Sequence, residues 1–75
     1  MKKTPTELVD TIVQYALYGA GQDDDPLQQE FAADLLEAAV LIMDAHGYDG
    51  RMTLTRSQLL LNADGDRKYA EELRN

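Results

Sequence analysis

The chain has 75 residues, no cysteine and a formal charge of −7. That length allows one domain with one small core, marginally stable unless a disulfide, a metal or a partner subunit supports it. Without cysteine, disulfides, a catalytic thiol and the usual zinc frameworks are excluded, so self-association is the expected support and a reducing compartment such as the cytoplasm fits.

Met1-Lys2-Lys3 leads into Thr-Pro-Thr-Glu and not into an apolar secretory core, and stretches such as Ala38–Met43 are too short to span a bilayer. A soluble chain that is not exported is expected. Helix 1 is predicted over residues 5–18. Thr4 stands as N-cap, Pro5 at the first helical position and Glu7 where it completes a capping box. Leu8, Val9, Ile12, Val13, Ala16 and Leu17 then recur at helical spacing, and Gly19 and Gly21 end the run.

Helix 2 is predicted over 26–46. It grows from Gly21–Glu30, GQDDDPLQQE, with Asp25 as cap, Pro26 at the first position and Gln28 at box-like spacing, and Gly47 supplies a left-handed stop. The chain's charge is concentrated here. Residues 22–50 hold eight acidic side chains and no Lys or Arg, whereas residues 1–21 are neutral and 51–75 carry +1. At about 100° per residue, Glu30, Asp34, Glu37 and Asp44 share one arc with Leu41 in its middle. The apolar arc, including Phe31, Leu35, Ala38 and Ile42 on one wall and Leu36, Val40 and Met43 on the other, is too wide for a single neighbour. Helix 2 is therefore expected inside a small bundle or at a dimer interface.

Asp44–Leu61 resembles an EF-hand in outline: helix, Asp-Gly loop, helix. With Gly50 as the loop glycine, Asp49 takes the fifth ligand position, but Ala45, Gly47 and Arg56 occupy other positions where oxygen ligands belong. The resemblance covers about a quarter of the chain. It lacks the carboxylates that calcium requires, so no metal is expected there. Thr55-Arg56-Ser57-Gln58 is a further capping-box pattern, which predicts a short helix over 56–62. Asn62-Ala63-Asp64-Gly65-Asp66 reads as a polar turn with oxygen ligands at alternate positions, though Arg67 and Leu73 stand where a calcium loop needs glycine and glutamate. A last short helix is predicted over 66–73.

The predicted fold is all-α: a small helical bundle built on an antiparallel hairpin of two long helices, completed by one or two short C-terminal helices. No enzyme, cofactor or metal is expected. His46, the single histidine, has no evident orienting partner or nucleophile and suits the negative end of helix 2.

The acidic arc carries the functional reading. Carboxylates three and four residues apart without lysine partners repel by a few tenths of a kcal/mol per pair, and such a face suggests an external cationic partner. The expected function is a non-enzymatic protein–protein interaction module, an inhibitor or regulator that binds a basic protein surface. The partner-binding candidates are Asp23, Asp24, Glu30, Asp34, Glu37, Leu41 and Asp44, with Tyr18 and Tyr48 as contact aromatics. A homodimer through helix 1 or helix 2 is expected, with Leu36, Val40 and Met43 as its interface. Such a field repels nucleic acid and anionic membrane. One alternative is imitation of DNA. The small size, acidity and lack of catalytic apparatus resemble, in kind, phage-encoded host-takeover proteins. The arc, however, offers roughly one charge per 5 to 6 Å against about one per 1.7 Å in duplex DNA. The other alternative is divalent-ion binding by the degenerate loops.

Overall fold

In the computed structural model, residues 2–47, 50–51 and 54–75 are described. The fold is all-α. Helix α1 (Pro5–Tyr18) is followed by a 3-10 turn (Ala20–Gln22), α2 (Pro26–His46) and α3 (Arg56–Arg74), with a two-residue antiparallel ladder, β1 (Gly50–Arg51) against β2 (Leu54–Thr55), between α2 and α3. Among the described residues, no helix is long and apolar enough to cross a membrane.

Local chemistry sets the helix ends. Thr4 Oγ accepts from the Glu7 N–H and the Glu7 carboxylate accepts from the Thr4 N–H, so the first capping box is complete. Thr55 and Gln58 form the same reciprocal pair at the start of α3. Asp25 caps α2 through the Leu27 N–H, one residue nearer than the box spacing with Gln28 suggests. Gly47 ends α2 in the left-handed conformation, φ 73°, and donates its N–H to the Met43 carbonyl.

The third helix corrects the sequence expectation of two short ones. Asn62–Asp66 is helix interior and no turn. Ala63 and Ala70, one on each side of Gly65, are both buried, and this tertiary packing outweighs the roughly 1 kcal/mol that an interior glycine costs. Residue 64 therefore points away from residues 62 and 66, which share a face one turn apart, and their alternation cannot form a cation loop.

One core joins the elements. Val9, Val13 and Ala16 of α1 and Leu59 and Ala63 of α3 meet Ala32, Ala33, Leu36, Ala39, Val40 and Met43 of α2, so α2 packs against both other helices. Alanine dominates this cluster and lets backbones approach closely. The molecule is only 19 Å thick along its shortest axis, about two helix diameters. At the corner between α1 and α2, a Cβ on Gly21 would lie 2.4 Å from the Ala16 carbonyl, so only glycine fits there. Gln29, buried on the first turn of α2, secures the same corner. Its amide donates to the carbonyls of Gly21 at 2.9 Å and Asp23 at 2.7 Å.

Leu36, Val40 and Met43, assigned from sequence to a dimer interface, belong to this monomer core. The assignment is corrected: the wide apolar arc of α2 is filled largely by α1 and α3, and these three side chains have no surface left to offer.

Candidate functional site

The acidic arc of α2 lies along α3. Glu30, Glu37 and Asp44 are seven residues apart, which keeps them on one stripe of a helix. Arg56, Arg67 and Arg74 on α3 are separated by eleven and seven residues, again close to whole turns. The two stripes face each other. Arg56 donates from Nε and Nη2 to the two oxygens of Asp44, at 2.7 and 3.0 Å. Arg67 donates from Nη2 to Asp34 at 2.9 Å and to Glu37 at 2.7 Å. Arg74 donates to Glu30. Residue numbers rise along α3 as they fall along α2, so these two helices run antiparallel.

The electrostatics follow from these contacts. The hydrogen bond from Arg74 holds the Glu30 carboxyl below its ordinary value, and that from Arg56 does the same for Asp44. Arg67 and Arg74 are shifted up by their carboxylate partners. The Tyr69 hydroxyl donates to Asp24 and is shifted up, first by that hydrogen bond. The repulsion that the sequence leaves unrepaired within α2 is thus repaired from α3 in the same chain. Each pair is only partly covered, with between 37 and 66 % of every participating side chain still exposed.

The face keeps two features of a contact surface. Leu41 is 70 % exposed. It lies one turn before Asp44 on the same stripe of α2, and Leu60, one turn after Arg56 on α3, is exposed as well. The charge also stays negative. Three arginines meet the four α2 carboxylates, leaving one charge in excess, and Asp23, Asp24 and Asp25 add three more at its end. Asp23 is exposed at the corner.

The structure does not bring all the sequence candidates together. Tyr18 is 76 % exposed on α1, where with Lys3, Thr11, Gln14, Tyr15 and Gly19 it borders an open depression of about 540 Å³. Tyr48, and Asp49 of the EF-hand-like loop, lie outside the described residues. Arg56, at the loop's last ligand position, is committed to Asp44. Among the described residues no cluster of His, Asp and Glu is arranged to hold a metal ion. Sequence reasoning missed Arg56, Arg67, Arg74 and Leu60. Their spacing on α3 was the available signal, hidden by the division of that helix in two. Compared with known protein families, curated proteins and solved structures, the chain matches none.

Proposed function

We propose that this chain is a non-enzymatic protein–protein interaction module, of the inhibitor or regulator kind, that binds a basic protein surface along the α2–α3 side of its helical hairpin and bundle. The observation that carries this reading is that Leu41 and Leu60, each one turn from the Asp44–Arg56 pair, are exposed beside carboxylate–arginine pairs with negative charge in excess. An apolar centre with a charged rim is the usual anatomy of a contact patch. The excess charge steers a cationic partner towards it. The arginines favour this reading over imitation of DNA, because a guanidinium beside the carboxylates cancels charge that a phosphate backbone would carry.

The test is capture from a host lysate on the immobilised chain, compared with a variant carrying Asp23→Lys and Leu41→Lys. Both positions are exposed and neither side chain holds the fold. The expected result is loss of basic proteins from the variant's eluate and weakening of wild-type capture at high salt. Equal capture by both forms overturns the reading.

A further inference from the structure

A second face of the molecule has the opposite character. Tyr15 of α1 and Phe31 of α2 meet edge to face, with ring centroids 6.2 Å apart and planes at 78°, yet both rings remain exposed. Leu8 is exposed on the same side of α1, and Leu27 is exposed on α2 between Phe31 and the acidic stripe. Between Leu8 and Tyr15 this side of α1 holds only Thr11 and Ile12, and on α2 it continues through Leu35, Ala38 and Ile42. The arc carries no Asp or Glu, although the chain as a whole is at −7, and the one charge that reaches it is the Lys3 ammonium, which donates to Thr11 at 2.8 Å. The α2 carboxylates are centred about 120° away around the helix.

We infer that this carboxylate-free face joins two copies of the chain, the α1–α2 pair of one stacking on the α1–α2 pair of the other. The charge pattern selects that occupant. A basic partner gains nothing from a face without carboxylates, whereas a second chain of the same negative charge can approach here with both acidic stripes turned away.

The area approaches what a dimer needs. Two neighbouring helices of these lengths present roughly 500 Å² in plan, and more in accessible surface because side chains project. A standard interface takes about 800 Å² from each partner. The need is visible as well. Among the described residues, the largest fully buried side chains are Leu36, Met43 and Leu59, while nine large apolar side chains stay exposed in the single copy. This interface is separate from the α2–α3 side, so it stands or falls independently of the proposed partner binding.

Sedimentation velocity on the full chain, from low micromolar to near-millimolar concentration, tests it. The wild type is expected to move as a dimer, and the Leu8→Lys, Phe31→Lys double variant as a monomer of unchanged helicity. Leu61→Lys, on the outer side of α3, leaves the dimer intact. A wild type that stays monomeric throughout overturns the inference, as does a double variant that still dimerises. Should the double variant lose helicity, amide NMR shifts of the unmodified chain on dilution replace it. Movement centred on Leu8, Tyr15 and Phe31 supports the interface. Movement centred on Leu41 and Leu60, or no movement, overturns it.

Discussion

Arg56 grips Asp44 through two N–H···O bonds, Nε to Oδ1 at 2.7 Å and Nη2 to Oδ2 at 3.0 Å. Such a fork adds direction as well as attraction. Both side chains are more than 40 % exposed, and solvent screening leaves pairs in that setting with little net stabilisation. Asp44→Asn is therefore expected to lower the urea midpoint only slightly. Arg67→Ala should cost more, because it leaves Asp34 and Glu37 unpaired and facing each other one turn apart. The reverse order of the two losses would contradict the ladder as drawn.

Acid should loosen α3 from α2. Glu30 and Asp44 have folded-state values held down chiefly by hydrogen bonds from Arg74 and Arg56. A carboxylate lowered on folding contributes stability above its unfolded pKa and loses it as pH falls through the folded one. Thermal stability is expected to be level from neutral pH to about pH 5 and to fall below about pH 4. The Glu30→Gln, Asp44→Asn double variant should show a shallower fall. An equally steep decline in both forms would assign the acid sensitivity to other groups.

Asp66 works in the opposite sense. Burial pushes its carboxyl up, so its charged form opposes folding at neutral pH and the penalty disappears once both states are protonated. Asp66→Asn should raise the melting temperature by a few degrees at most near neutrality, with the gain vanishing below about pH 4. A lower melting temperature at neutral pH would mean that the carboxylate has a favourable role.

Gly65 lies within α3 with nothing within 4 Å of where a Cβ would be. Gly65→Ala removes a glycine from an open helix interior and should stabilise by about 1 kcal/mol. Destabilisation, read from the urea midpoint, would show that the chain bends at this residue.

Gln29→Leu deletes the donors to the Gly21 and Asp23 carbonyls. Leaving such acceptors unpaired costs about 1 to 3 kcal/mol, and a comparable loss is expected in thermal unfolding. Stability within a few tenths of a kcal/mol of wild type would mean that solvent satisfies the corner instead.

What could be read from the sequence was what lies close along it. Thr4 with Glu7, and Thr55 with Gln58, are three residues apart, and their reciprocal bonds are present in the fold. Gly47 needs only its own backbone to end α2. The failures share the opposite property. Asn62 and Gly65 are locally poor helix residues, and what keeps them helical is the burial of Ala63 and Ala70 against other elements. The acidic arc was legible as an arc, but its cations come from 12 to 44 residues further on. Gln29 looks like any polar residue in a first turn until the chain doubles back over it.

The Arg56–Asp44 pair closes a loop of 12 residues, whereas Arg67 reaches back 30 to Glu37 and Arg74 reaches back 44 to Glu30. Chain entropy makes the shortest closure the easiest, and each rung formed brings the next within reach. The third helix thus folds onto the second like a zip fastened from the loop end. The turn around Arg74 is the last to close and the first to fray. When it frays, Glu30 is the first α2 carboxylate released, at the end of the face where Asp23–Asp25 already concentrate charge.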